Sequence, residues 1–504
     1  MVGLDRDSTV PLHRQLYEGL RGEILSGRLP AGSRLPSVRS LVREFGISRN
    51  TVTGALSQLS AEGYLEAQVG SGTYVASSMP DELLRAGKHS KSLDRQTSMQ
   101  GPSRRRPEKS PQERLLSRRG SLLATTSVGA TVRSTGPSVP FAAFAPAVPD
   151  VGMFPHGTWR RIAGKLWRRP PENLLRYGAP AGYRPLREAI AEHLRASRAV
   201  DCSWERVIVV SGSQQALDLC ARLLLDPGDE VWIEDPCYLG TRAALSANGA
   251  RTIPVPVDGE GLDVSAGEEK ASDARLACVT PSHQYPSGVT MSVGRRLALL
   301  EWSSRVGAWV LEDDYDGEFR YTGRPLPSLQ GLAEKGRILY LGTFSKSLFP
   351  ALRLGYLVVP ENLVDAFVNA KALSDRHTPA VEQAILAEFI AEGHFGRHLR
   401  RARKLYAERQ AALVEAADKE LAGLLEVRAS DAGLHLVGRL GEEADDELAS
   451  QRAARMGVRA PSLSAHRLSE SGHPGLVLGY AAFKEQIIRH GVRRLAEALR
   501  ETNS

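Results

Sequence analysis

Apolar residues recur every fourth position near the start of the chain, at Leu12, Leu16, Leu20 and Ile24. That spacing predicts a helix with one buried stripe. Gly27, Pro30 and Gly32 break the pattern. A shorter apolar period follows at Val38, Leu41, Val42 and Phe45, opened by Ser37 and closed by Gly46. A third runs through Val52, Ala55, Leu56 and Leu59. Ser48 precedes it and can cap its first turn, and Gly63 stops it. Tyr64-Leu65-Glu66 and Thr73-Tyr74-Val75 then predict two short strands around Gly70-Ser71-Gly72. Residues 9–77 therefore predict a helix, a helix–turn–helix and a β-wing.

From residue 141 onward the pattern changes. Val207–Val210, Val231–Ile233, Leu276–Val279, Trp309–Leu311, Ile338–Leu341 and Gly355–Val359 are apolar runs of strand length, and helical patterns such as Gln214–Leu225 lie between them. This alternation predicts an α/β fold with a parallel-rich sheet covered by helices on both faces. Sites in such folds gather at the carboxyl ends of the strands. The last hundred residues, with long helical patterns such as Phe395–Ala417, predict a smaller α+β subdomain. Residues 78–140 separate the two parts. They contain no Phe, Trp or Tyr, and Ser, Gly and Pro fill 22 of the 63 positions. Such a segment cannot bury enough apolar surface to offset its ordering entropy, which predicts a flexible linker. Only Gln112–Leu123 carries a short helical pattern.

Charge sharpens this division. The net charge is +7; residues 1–77 contribute +1, residues 78–140 contribute +7 and the remainder −1. The linker charge is read equally as phosphate attraction or as plain solubility. No apolar run reaches the ~18 residues of a membrane span, and the first residues lack the basic start and apolar core of a signal peptide. The expected location is the cytoplasm. Cys202, Cys220, Cys237 and Cys278 form no CxxC pair and read as buried thiols in a reducing compartment.

In a helix–turn–helix the second helix enters the DNA major groove with its first residues toward base edges. Here those residues are Ser48, Arg49, Asn50 and Thr51. Arginine can bond guanine through two hydrogen bonds, and asparagine adenine. Arg39 and Arg43 on the preceding helix would meet phosphates. Gly70 and Gly72 would let the wing approach the backbone closely. The segments Leu35–Arg39, Phe45–Val52, Glu62–Leu65 and Gly70–Val75 together resemble the winged helix of GntR-family transcription regulators. The resemblance implies DNA contacts by Arg39, Arg49, Thr51 and Gly72. The candidate DNA-binding set is Ser37, Arg39, Arg43, Ser48, Arg49, Asn50, Thr51 and Gly72.

In the rear part, Lys346 follows an apolar run and lies among Thr343, Ser345 and Ser347, with Arg353 seven residues on. A lysine held beside a carbonyl cofactor can form a Schiff base with it, and hydroxyls with an arginine suit a phosphate. The run Trp309–Leu311 ends in Glu312-Asp313-Asp314-Tyr315. A carboxylate there can pair with a protonated pyridine nitrogen, and Tyr315 can reach a ring oxygen. An oxygen-only magnesium site stays open as a second reading of these acids. Ser211-Gly212-Ser213-Gln214 opens a helix whose free N–H groups suit an anion. There is no GxGxxG or Walker A sequence, which disfavours dinucleotides and nucleoside triphosphates.

These segments, with Glu234–Tyr238 and Pro286-Ser287-Gly288, resemble fold-type I pyridoxal-phosphate enzymes over about residues 145–500. The resemblance implies pyridoxal 5'-phosphate as cofactor and Lys346 as its Schiff-base lysine. It implies Asp313 rather than Asp314 on the ring nitrogen, Tyr315 on the ring oxygen and Tyr238 stacked on the ring. It implies phosphate contacts from Ser213, Gln214, Thr343 and Arg353, beside which the Ser345 hydroxyl is a further cofactor candidate on its chemistry, and Tyr177 reaching the partner subunit's cofactor. The whole chain resembles MocR/GabR-type regulators. Two departures from aminotransferases stand out: Tyr285 occupies their usual Asn position, and Gly475–Tyr480, the expected last core strand, has no carboxylate-gripping Arg. Arg459 and Arg467 lie near it in sequence. The expectation is a homodimeric transcription regulator that senses pyridoxal phosphate itself or an amine or amino acid. The alternative is a working aminotransferase with an ancillary DNA-binding module.

Overall fold

The computed structural model describes residues 3–68, 71–77, 116–125, 143–323, 326–333, 336–469 and 472–500. Gly70 of the expected wing turn and most of the expected linker lie outside the described residues. The chain divides into two compact units, Met1–Glu108 and Lys109–Ser504.

In the front unit α1 spans Leu12–Leu25, α2 Val38–Phe45 and α3 Arg49–Ala61. Local chemistry sets the ends. Ser37 Oγ accepts from Ser40 N–H, and Ser48 Oγ from Thr51 N–H, each at 3.2 Å. Such caps satisfy donors that the helix leaves orphaned. Between them Gly46 adopts φ +61°, the left-handed conformation that glycine tolerates best. Leu16, Leu20, Ile24, Leu41, Val52 and Leu59 form the core, while Val38, Val42 and Phe45 are only partly buried against it. β1 (Leu65–Gln68) and β2 (Gly72–Val75) pair antiparallel as the wing.

The rear unit is built on an eight-stranded sheet. Its strands are β3 (Val207–Val210), β4 (Glu230–Asp235), β5 (Arg251–Asp258), β6 (Gly261–Leu262), β7 (Leu276–Val279), β8 (Trp309–Asp313), β9 (Ile338–Thr343) and β10 (Gly355–Val358). They run in the order β3-β10-β9-β8-β7-β4-β5-β6. The β9-β8-β7-β4-β5 ladder is parallel; β10 is antiparallel to both neighbours, and β6 to β5. The sheet is thus parallel-rich, with helices on both faces. All four residues of β3, β7 and β10 are buried; β7 and β10 are interior strands, whereas β3 lies at the sheet's edge and is covered by the helices Arg184–Arg198 and Ser213–Leu224. β5 carries Pro254 and Pro256, which hides it from a strand search; it lies next to the sheet's edge, where prolines are tolerated. A second sheet, β11 (Glu426–Val427), β12 (His435–Arg439) and β13 (Gly475–Gly479), is antiparallel and packs with the helices His394–Glu420 and Glu485–Arg500 as the smaller subdomain.

The expected linker helix is partly observed. Residues Arg118–Thr125 are helical and belong to the rear unit. Arg119 Nη2 donates to Oδ1 of Asn248 at 2.8 Å, at the C-terminal end of the helix Leu239–Ala247.

Candidate functional site

The front unit presents a polar face. Arg39 and Arg43 on α2, and Arg49 and Asn50 at the start of α3, are exposed, and no acid pairs with any of these arginines among the described residues. Thr51 is half-buried, and its Oγ1 lies 2.8 Å from Ser48 Oγ, so these two hydroxyls hold the helix start. Ser37 caps α2 in the same way. Gly72 has φ +125°, and a Cβ there would meet the Arg34 guanidinium at 2.9 Å. Arg34, from the segment between α1 and α2, therefore lies over the wing where only glycine leaves room.

In the rear unit the ends of β8 and β9 bring Asp313 and Lys346 together. Asp313 is the last residue of β8 and pairs in register with Leu341 of β9. Its Oδ1 is buried and has no hydrogen-bond partner. Burial, with Asp314, Asp316 and Glu234 nearby, pushes its carboxyl up to about 8. Lys346, half-buried, donates from Nζ to Ala147 O at 2.9 Å. Burial lowers its ammonium below the usual lysine range, against the pull of Asp316 and Asp313. A lysine made easier to deprotonate is a better nucleophile. The Tyr315 phenol is raised well above its ordinary range, mainly by burial. Its OH lies 3.0 Å from His283 Nδ1, which is 2.9 Å from Asp316 Oδ2.

An anion cradle lies beside them. Gly212, at φ +98°, caps the helix Ser213–Leu224, and Ser213 and Gln214 are its first residues. Arg353 Nη2 donates to Ser211 O at 2.7 Å, and a Cβ on Gly212 would meet that guanidinium at 2.9 Å. Gln214 Nε2 donates to Gly240 O at 3.0 Å, leaving its Oε1 buried without a partner. Thr343 Oγ1 accepts from Ser345 N–H at 3.1 Å, and both side chains are buried. The Tyr238 phenol is raised by burial and by Asp313, with the Arg353 charge opposing. An unpartnered buried acid, a lysine of depressed basicity and a helix start with an arginine fit a phosphorylated pyridine aldehyde. Tyr177 stands apart: it is 80% exposed, with the Arg376 guanidinium 4.6 Å from its ring centroid and His377 beside it.

The neighbouring acids have other work. Asp314 takes two hydrogen bonds from Arg198, at 2.8 and 2.9 Å, and one from the Tyr340 hydroxyl. Glu312 accepts from the N–H groups of Leu329 and Gln330 at 3.0 and 3.1 Å. Among the described residues no group of three or more His, Cys, Asp or Glu could hold a metal ion. β13 carries no arginine, and Arg467 is tied to His473 O and Ser464 Oγ. The Arg459 charge, by contrast, acts on the buried Tyr285 phenol.

Several contributors are not evident from the sequence pattern. Glu234, pushed up to about 7 by burial, accepts from Thr280 N–H and Oγ1 and from Gln284 Nε2, and so shapes the loop that carries Tyr285. His283 packs 4.8 Å, ring to ring, from His435 of β12. His283 lies three residues before Pro286 and Asp316 directly follows Tyr315, so both border motifs that point to them. His435 has no such neighbour, because it lies in another subdomain.

Residues 155–495 match the family model described as aminotransferase class I and II, and residues 12–75 match that of bacterial regulatory proteins of the gntR family. The chain is 42% identical over 498 residues to the probable rhizopine catabolism regulatory protein MocR of Rhizobium meliloti, covering 99% of this chain and 96% of that one. It is 30% identical to the pyridoxine biosynthesis transcriptional regulator PdxR of Corynebacterium glutamicum, covering 99% and 98%. Among solved structures, the α-aminoadipate aminotransferase LysN of Thermus thermophilus, complexed with N-(5'-phosphopyridoxyl)-L-leucine, superposes with a TM-score of 0.71 at 30% identity, over 78% of this chain and 99% of that one.

Proposed function

The chain belongs to the MocR-type transcription regulators, in which a GntR winged helix is joined to an aminotransferase class I and II domain, and on that premise we propose that pyridoxal phosphate in the rear unit reports its own level, or an amine, to the DNA-binding helices. Lys346 would hold the cofactor covalently. Asp313 would hold the proton shared with the ring nitrogen, Tyr315 would bond the ring oxygen and Tyr238 would cover the ring. Ser213, Gln214, Thr343, Ser345 and Arg353 would hold the phosphate. When bound, the group supplies an electrophilic carbon that condenses with primary amines. The observation that carries this reading is the buried, partnerless Oδ1 of Asp313 beside Lys346, in a chain that also bears a winged helix.

The winged helix would read DNA through Arg49, Asn50 and Thr51, with Ser37, Arg39, Arg43, Ser48 and Gly72 at the backbone. We take residues 9–77 as this domain, 78–140 as linker and 141–504 as the cofactor domain. The protein would act in the cytoplasm as a homodimer, with Tyr177 serving the partner subunit's cofactor. A ligand moves such a molecule only if it binds two conformations with different affinity. The arginine-free β13 favours sensing over turnover of amino acids.

The test is a titration of the purified protein with pyridoxal phosphate, followed by candidate amines. A yellow band is expected in the wild type and none in Lys346→Ala, with operator binding retained in both. A band that survives in the variant would remove Lys346 from its role. A band that one amine shifts would identify the effector.

A further inference from the structure

Outside residues 1–140 the chain carries one acid more than it has Lys and Arg. Its cations are nevertheless unevenly placed. The helix His156–Arg168 holds Arg160, Arg161, Lys165 and Arg168 and no acid. The first three turns of the helix His394–Glu420 hold Arg397, Arg400, Arg401, Arg403 and Lys404, again with no acid.

These two stripes have different partners. On the first helix Arg161 pairs with Glu392 at 2.8 Å and Lys165 with Glu388 at 2.7 Å. On the second, among the described residues, Arg403 turns toward Glu318 and His394 toward Glu392, and the other arginines and the lysine of the stripe toward no acid. Arg397, Arg400, Arg401 and Lys404 follow i, i+3, i+4, i+7 spacing, which places them on one face, and all four are exposed. Arg397 meets Glu392 O and His394 Nδ1, and no carboxylate pairs with any of the four among the described residues. With His394 they line an open groove of about 450 Å³ that has no acid in its wall. Like charges three and four residues apart repel, so this helix face is destabilised unless a counter-charge occupies it.

We propose that this groove is a second DNA-contact surface, which takes the sugar–phosphate backbone of the duplex that the winged helix reads. The stripe is about 10 Å long at 1.5 Å per residue. One DNA strand places a phosphate about every 3.4 Å of helix axis, and each step also turns about that axis, so the stripe meets about two or three phosphates. An open groove admits a polymer passing through it, and arginine suits phosphate oxygens through paired N–H donors. Contacts of this kind add affinity and register without reading bases. The inference does not depend on the cofactor.

The experiment measures operator affinity of the full-length protein against salt, with a long duplex and with a short one limited to the winged-helix site. The variant replaces Arg397, Arg400, Arg401 and Lys404 with glutamine. On the long duplex, the slope of log affinity against log salt should flatten by about 2 to 3, at about 0.9 for each phosphate no longer neutralised. Affinity there should fall at least tenfold near physiological salt, while the short duplex is bound as before. Arg161→Gln with Lys165→Gln, on the neutralised stripe, should change neither slope. If the fourfold variant does not fold, Arg400→Gln with Arg401→Gln should give about half the effect. An unchanged slope in a folded variant overturns the proposal. So does a loss of affinity that tracks a change in oligomeric state by light scattering, which would make the groove a subunit interface.

Discussion

Arg49 and Asn50 stand in solvent at the start of α3, whereas Asp313 and Asp314 are sealed at the end of β8. The two regions handle polar groups in opposite ways. In the front unit Arg49 and Asn50 take no part in holding the fold: caps and an apolar stripe build the helix, and these two side chains stand in solvent. In the rear unit adjacent acids are fully desolvated and then treated differently. Asp314 is matched by Arg198 and Tyr340, while Asp313 is left one bond short. A buried acid with an open position is destabilising in itself, and Asp314 with its partners supplies the rigid frame beside it. The contrast teaches where damage should travel. Losses in the front unit should fall on binding, and losses in the rear unit on folding first.

The largest expected effect tests that frame. Arg198→Ala leaves Asp314 as an uncompensated buried charge, and both side chains are more than nine-tenths buried. Removing one partner of such a pair costs about 3–5 kcal/mol. A thermal melt should show the rear unit's transition displaced downward and the front unit's unmoved. A single shift shared by both units would show that their stabilities are coupled.

A smaller effect tests the other side. Arg49→Ala should cost about 1–3 kcal/mol of operator affinity and relax base preference, with no change in melting. Unchanged operator binding would remove α3 as the reading helix.

The smallest effect is a pH dependence. Asp313 titrates at about 8, so below that pH its carboxyl already carries the proton to share with a ring nitrogen. Above both that pH and the titration of the ring nitrogen itself, binding must take up a proton, and affinity should fall by up to about tenfold per pH unit. A 4-deoxy analogue of the cofactor, which cannot bond to Lys346, isolates this from the lysine's own titration. Affinity that is flat from pH 7 to 10 would show that Asp313 is not the ring partner.

The front unit was legible because its determinants are local. Ser37, Gly46 and Ser48 lie within a residue of the boundaries they set. The strands of the rear sheet were legible as apolar runs, but their directions were not. β10 reads like any buried strand, and only the chain's return between β3 and β9 makes it antiparallel. β5 was hidden by Pro254 and Pro256. In the site, the order of Asp313, Lys346 and Arg353 could be read along the chain. The saturation of Asp314 could not, because Arg198 arrives from a helix more than a hundred residues earlier. The linker helix expected over Gln112–Leu123 is observed over Arg118–Thr125, and residues 112–115 fall outside the described residues.

That short helix has a consequence for operator architecture. About forty residues lie between Val75, at the end of the wing, and Arg118, where the helix begins. Whatever path they take, a chain of that length spans at most about 140 Å. Undocked, the reach would extend to about 230 Å. At about 34 Å per turn of B-DNA, the difference is about four turns against nearly seven. Docked by the hydrogen bond from Arg119 to Asn248, the helix thus takes about twenty-five residues, 118–142, out of the free tether.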